Sequence, residues 1–143
     1  MKRRILISFG VFFSLLICHL AFAGDLEIRK GGSIWASIES GGNIRINGSI
    51  VGQIESDGTV RKNGSIVGNM EKDGDIRDNG SLKGKLESDG TIRLDGSIFG
   101  ALEDDGTIRK NGSIWGSVSG MQNFEDKKKV MGLLYFFSEE FST

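Results

Sequence analysis

The sequence predicts an all-β protein, built from a short repeat and followed by a C-terminal helix. Three observations predict it. A 16-residue pattern recurs six times between residues 25 and 120, and a fixed period of this kind is the signature of a repeat architecture. Aliphatic residues alternate with polar ones inside each copy, as in half-buried strands. Asn-Gly and Asp-Gly pairs separate the alternating runs, as in hairpin turns.

The aliphatic residues form three sets, and within each set they are one period apart, on even-numbered positions. The first set is Ile28, Ile44, Val60, Ile76, Ile92 and Ile108. The second is Ile34, Ile50, Ile66, Leu82, Ile98 and Ile114. The third is Ile38, Ile54, Met70, Leu86, Leu102 and Val118. Because residues two apart share one face of a strand, we expect all three sets to form the core.

This parity also predicts the turns at the Asn-Gly pairs. A two-residue loop would pair Arg61 with Ile66 and put charge and core on one face. A three-residue loop over 62–64 pairs Val60 with Ile66 instead. That loop is a type I turn followed by a left-handed residue, for which Gly is preferred. We therefore predict three-residue loops at the Asn-Gly pairs.

The same reasoning predicts a three-residue loop over 56–58 and makes each unit a three-stranded meander. One unit consists of strands 53–55, 59–61 and 65–67, and Gly68 links it to the next. Equivalent linking residues follow the other units: Ala36, Gly52, Gly84, Gly100 and Gly116. Complete meanders span 37–51, 53–67, 69–83, 85–99 and 101–115.

Three strands remain outside these five units, and they predict a closed ring. They are 27–29 and 33–35 at one end of the chain and 117–119 at the other. If the chain ends meet, these strands complete a sixth unit and no sheet edge is left unpaired. The alternative is an open hairpin solenoid with the three strands as caps.

The repeated Asp-Gly-Thr-Ile-Arg and Asn-Gly-Ser-Ile-Val-Gly segments resemble those of the β-flower proteins. These are small secreted bacterial proteins with radial four-fold or five-fold arrangements of short β units. The resemblance to the five-fold group covers about residues 25–120 and implies a radial all-β fold. The shared residues are turn and core residues, so the resemblance implies no substrate, cofactor or catalytic residue.

The N-terminus predicts a cleaved secretory signal over residues 1–23. Three basic residues precede an apolar run from Ile5 to Ala23 that ends in Ala-Phe-Ala, the pattern of a signal peptide with its cleavage site. We expect a mature protein that starts at Gly24 and is periplasmic or secreted. The alternative is retention as an uncleaved anchor. We expect no stable membrane span after cleavage, because the C-terminal apolar stretch is too short for one.

Cleavage removes the only cysteine and the only histidine, Cys18 and His19. Cys and His nucleophiles and Cys/His zinc sites are then excluded. The mature chain keeps 15 basic and 19 acidic residues, a net charge of −4, which does not favour nucleic-acid binding. Carboxylates recur at every Asp-Gly turn, whereas a catalytic pair is normally made once. We expect no enzyme activity, no metal and no cofactor.

Residues 121–143 break the repeat and predict an amphipathic helix. Its apolar positions are Val130, Leu133, Leu134, Phe137 and Phe141, a helical spacing. We expect this helix to pack on one end of the β domain and seal its core. The alternative is a helix that docks a partner or a membrane surface.

The candidate ligand-binding residues are Trp35, Phe99 and Trp115. They follow residues of the second aliphatic set and face the opposite way. In a closed ring Trp35 and Trp115 become neighbours, with Phe99 one unit further. Exposed aromatic residues often mark binding surfaces, so they could form a platform for sugar rings or a protein. The alternative is a second core layer between units or beneath the C-terminal helix.

Together these features predict an exported, non-enzymatic structural or interaction protein of the bacterial envelope, with an unknown protein or glycan partner. The second hypothesis is a carbohydrate- or peptidoglycan-binding module that uses the three aromatic residues.

Overall fold

The computed structural model describes residues 24–142, which form a closed antiparallel β-barrel and a C-terminal helix. The predicted signal over 1–23 lies outside the described residues. The helix α1 spans Phe124–Phe137, and a 3-10 turn follows at Glu139–Phe141. The strands are β1 Leu26–Lys30, β2 Ser33–Ile38, β3 Asn43–Ile46, β4 Ser49–Ile54, β5 Thr59–Lys62, β6 Ser65–Met70, β7 Asp75–Asp78, β8 Ser81–Leu86, β9 Thr91–Leu94, β10 Ser97–Leu102, β11 Thr107–Lys110 and β12 Ser113–Ser119.

The strands follow one another around the barrel in chain order, and the first pairs with the last. In that closing pair Ile28 of β1 lies opposite Val118 of β12. The all-β fold class, the closed arrangement and the C-terminal helix are therefore confirmed, and the open solenoid is excluded. Closure satisfies the backbone hydrogen bonds that an open edge would leave unpaired.

Each repeat contains two strands, not the predicted three. The segments before and after Gly68 join into the single strand β6. Gly68 lies opposite Val60 of β5 on one side and Asp78 of β7 on the other, so it is a ladder residue and not a linker. A Cβ at this position would overlap the carbonyl oxygen of Arg77 and the ring of Phe136. Glycine is required here because backbone and helix approach so closely.

The two kinds of turn differ. The three-residue loop over 56–58 is confirmed: Glu55 N–H donates to Thr59 O at 2.8 Å, and Gly58 has a φ of 94°. The prediction of a three-residue loop at the Asn-Gly pairs is wrong. Asn63 and Gly64 form a two-residue loop with φ values of 50° and 85°, which is the positive-φ geometry of a type I′ hairpin turn.

Because this loop has two residues, the side chains that follow it face the opposite way from the prediction. Arg61 lies opposite Ile66, and the register shifts between Val60 and Arg61. This β-bulge makes Val67 an extra residue and turns it toward the core, because a bulge breaks the strict alternation of faces. The first and third aliphatic sets are in the core as predicted, but the second set is exposed.

The helix α1 lies inside the barrel, which corrects the prediction of an amphipathic helix on one end. All six residues from Val130 to Tyr135 are buried, and six consecutive helical residues point in every direction. Phe137 packs on Gly52 of β4, and Phe136 on Gly68. An eight-stranded barrel can be filled by its own side chains. Twelve strands enclose a wider interior, and the helix fills it.

Candidate functional site

Six aliphatic side chains form a ring on the outer wall of the barrel, close to the Asn-Gly turns. Each is only two residues beyond its turn, on the exposed side of a long strand. Their exposed fractions lie between 53% and 67%. We call this set the aliphatic ring: Ile34, Ile50, Ile66, Leu82, Ile98 and Ile114. Single exposed aliphatic residues are ordinary, but here an exposed aliphatic residue recurs at the equivalent position of all six repeats.

A band of ion pairs lies beside the aliphatic ring. The Nε of Arg61 lies 2.7 Å from Glu55 Oε1, and its Nη1 donates to the carbonyl oxygen of Gly64 at 3.3 Å. The hydrogen bond that the equivalent Arg77 donates to Glu71 raises the pKa of its guanidinium. Arg45, Arg93 and Arg109 also pair with the acidic residue of their own repeat. These arginines are therefore engaged within the wall and do not form an open anion site.

Shallow apolar grooves separate neighbouring hairpins on this wall. One groove of about 360 Å³ runs past Ile66, Gly68 and Asn79. The next, of about 330 Å³, runs past Leu82 and Gly84. Members of the aliphatic ring form the sides of these grooves. The wall therefore presents a repeated series of apolar ridges and grooves, which is a geometry suited to another protein surface.

Closure of the barrel brings the aromatic residues predicted as a binding platform together. Trp35 and Trp115 meet edge to face with ring centroids 5.6 Å apart, so the predicted neighbourhood is confirmed. Phe141, from the 3-10 turn, packs against both Trp115 and Phe99, with centroid distances of 5.1 Å and 5.5 Å. The three predicted residues are half-buried and pack against the core, as in the alternative of a second core layer.

Charged groups hold this aromatic cluster to the chain ends. The indole N–H of Trp115 donates to Glu140 Oε2 at 3.0 Å. The Lys30 ammonium pairs with Glu140 and lies 5.2 Å above the Trp115 ring. The hydrogen bonds that Lys30 and Trp115 donate to Glu140 both lower its pKa, and the bond from Lys30 has the larger effect. Sequence reasoning missed Lys30 and Glu140 because no repeat pattern links an acid of the tail to a lysine of β1.

Residues 24–142 contain no group of three or more acidic, histidine or cysteine side chains arranged to hold a metal ion. The helices described in this range are too short or too polar to cross a bilayer.

Comparison with known proteins gave no match to any protein-family model, to any curated protein or to any solved structure.

Proposed function

We propose that this chain is an exported, non-enzymatic interaction protein of the bacterial envelope, and that the aliphatic ring binds a partner protein. The observation that carries the proposal is the exposure of six aliphatic side chains at equivalent outer positions. Large exposed apolar surfaces that are rimmed by polar groups mark interaction sites.

The internal repeat supports this role for the ring. The ring position holds Ile or Leu in all six copies, although it faces solvent. A second outward position on the same long strands, three residues after the ring position, holds Ser37, Gln53, Asn69, Lys85, Ala101 and Ser117, which share no chemistry. Outer positions of these hairpins therefore tolerate varied residues, and the structure of the hairpin alone does not demand an aliphatic side chain at the ring.

Export is proposed from the features of residues 1–23, and the mature protein would begin at Gly24 and be periplasmic or secreted. Mass spectrometry of protein made from the full chain tests this directly. We expect the mass of residues 24–143 in the periplasmic or culture fraction. An intact N-terminus in the membrane fraction would instead support an uncleaved anchor. The Asp-Gly and Asn-Gly pattern, together with closure, supports our proposal of kinship with the β-flower proteins.

Photo-crosslinking in cells tests the aliphatic ring. A photoreactive amino acid at Ile66 should capture a partner protein that purified full-chain protein also captures. The variant Ile50→Ser/Ile66→Ser/Leu82→Ser should lose this capture, because it removes half of the ring. Its matched control is Ser49→Ala/Ser65→Ala/Ser81→Ala, which changes exposed neighbours on the same hairpins. Capture that persists in the folded Ile variant would contradict the proposal.

A second candidate function is binding of carbohydrate or peptidoglycan by Trp35, Phe99 and Trp115. It is favoured by their convergence on one side of the barrel, where all three remain partly exposed. Co-sedimentation with peptidoglycan and insoluble polysaccharides tests it, beside Trp35→Ala and Trp115→Ala variants. Pull-down that folded variants lose would support glycan binding, and the absence of pull-down for every polymer would contradict it.

A further inference from the structure

A cavity of about 350 Å³ lies at the opposite end of the barrel from the Asn-Gly turns. It lies between the start of α1 and the two Asp-Gly loops that precede β5 and β7. Ile54 and Met70 form part of its lining, and both are almost fully buried. Its size is within the range of small-molecule binding sites in proteins, and none of the residues in the aliphatic ring contributes to it.

Three lysines converge on this cavity from two separate segments. Lys128 and Lys129 belong to α1, and Lys72 belongs to the loop before β7. Lys128 is only 6% exposed. Its ammonium lies 2.8 Å from Glu125 and donates to the Lys72 carbonyl oxygen at 3.4 Å. The cavity therefore gathers three cationic side chains, of which Lys128 is the most buried.

The repeat itself marks Lys72 as a departure. The residue before the two loop residues Asp-Gly or Gly-Gly is Ser40, Ser56 and Ser88 in three copies, but Lys72 and Asp104 in the other two. The departure at Asp104 has an internal cause, because Asp104 pairs with Lys127 of α1. Lys72 has no such cause. Within residues 24–142 its ammonium makes no ion pair, and it adds charge beside two other lysines.

The carboxylates around the cavity already have partners. Glu55 pairs with Arg61 at 2.7 Å, and Glu125 pairs with Lys128. Asp57 Oδ1 accepts the backbone N–H of Thr59 at 3.0 Å. The ammonium groups of Lys72 and Lys129, in contrast, form no ion pair with any described residue. The cavity therefore offers two uncommitted cations above an apolar floor.

We propose that this cavity binds a small organic anion. Its phosphate or carboxylate group pairs with Lys72 and Lys129, beside the buried Lys128, and its short apolar body lies against Ile54 and Met70. This assignment rests on the cavity and the lysines, so it is independent of the aliphatic ring and of any protein partner.

Isothermal titration of protein made from the full chain tests the site with hexyl phosphate and hexanoate as probes. Hexyl glucoside supplies the same apolar body without charge, and inorganic phosphate supplies the charge without the apolar body. We expect at least one of the two anionic hexyl probes to bind, and to bind more tightly than hexyl glucoside and inorganic phosphate. Failure of both anionic hexyl probes to bind would overturn the proposal, as would equal affinity for hexyl glucoside.

The variant Lys72→Gln/Lys129→Gln should weaken binding of that probe by about tenfold or more, since about 1.4 kcal/mol of lost interaction produces that change. Neither lysine forms an ion pair within the described residues, so the variant should keep its fold, and its thermal unfolding checks this. The matched control is Lys62→Gln, an exposed lysine at the other end of the barrel, which should leave affinity unchanged. Equal affinity in the folded double variant and the control would also overturn the proposal.

Discussion

Trp35 and Trp115 meet edge to face, with ring centroids 5.6 Å apart, although they belong to the first and last copies of the repeat. Their contact depends on the pairing of β1 with β12, because that pairing brings the chain ends together. The C-terminal tail adds to the same junction through Phe141 and Glu140, which both contact Trp115. Closure is therefore reinforced by side chains that only the end of the chain supplies.

Truncation of Trp115 should destabilise the protein more than truncation at the same position elsewhere in the barrel. Loss of a buried aromatic side chain costs about 3–5 kcal/mol, and Trp115 is half-buried, so we expect Trp115→Ala to cost about 2–3 kcal/mol. Val51→Ala is the matched control in the second repeat and should cost about 1 kcal/mol. Urea unfolding measures both. Equal losses would show that the junction gives no added stability.

Residues on opposite sides of α1 should prove equally sensitive to truncation. Met131 and Leu133 are both fully buried, and at about 100° per residue they point some 200° apart around the helix. We expect Met131→Ala and Leu133→Ala each to cost about 2–5 kcal/mol in chemical unfolding. The exposed Gln122 supplies the control, because Gln122→Ala should have little effect. A helix that merely covered one end would show the loss on one side only.

The repeat length, the closed ring and the neighbourhood of Trp35 and Trp115 could be predicted from the sequence. Each depends on counting: the period sets which residues are equivalent, and the three strands outside the five units complete a sixth unit if the chain ends meet. The loop over 56–58 was also predictable, because Gly58 at its last position satisfies the left-handed geometry of a three-residue loop.

The face of Ile66 could not be predicted by counting, because a bulge interrupts the alternation. Strict parity placed Ile66 inside and Val67 outside, and the register shift after Val60 reverses both. The Asn-Gly pair itself favoured a two-residue loop. Strict parity contradicts that local preference only if every aliphatic residue is buried, and Ile66 is exposed.

The position of α1 was missed for a related reason. Division of each repeat at Gly68 predicts three short strands per unit, and that division gives no indication of an interior wide enough for a helix. With β6 read as one strand through Gly68, the repeats form a continuous wall of twelve strands. The width of a barrel grows with its strand number, so the space for the helix follows only from the correct strand count.

The same substitution on the two faces of the wall should have very different effects on stability. Ile76 is fully buried and Ile66 is 60% exposed. Ile76→Ala should therefore cost about 2–5 kcal/mol through loss of buried contacts and the cavity left behind. Ile66→Ala, a surface change, should stay within about 0.5 kcal/mol. Urea unfolding of both variants in parallel makes the comparison, and a large loss for Ile66→Ala would show that the side chain belongs to the core after all.

Acid should weaken the Asp-Gly loops in a defined pH range. The backbone N–H groups of Thr59, Thr91 and Thr107 lower the pKa values of Asp57, Asp89 and Asp105 below the ordinary value of 3.8. A carboxyl group whose pKa is lower in the folded state stabilises the fold above its unfolded pKa. That contribution is lost as the pH falls through the folded pKa.

The variant Asp57→Asn/Asp89→Asn/Asp105→Asn should therefore be less stable than the parent at pH 7, because it keeps the loop shape but lacks the charge. The difference in melting temperature should shrink below about pH 4 and vanish when the parent carboxylates are fully protonated. Thermal unfolding followed by circular dichroism between pH 7 and pH 2 measures it. A difference that stayed constant over this range would show that the three carboxylates act through loop geometry and not through their charge.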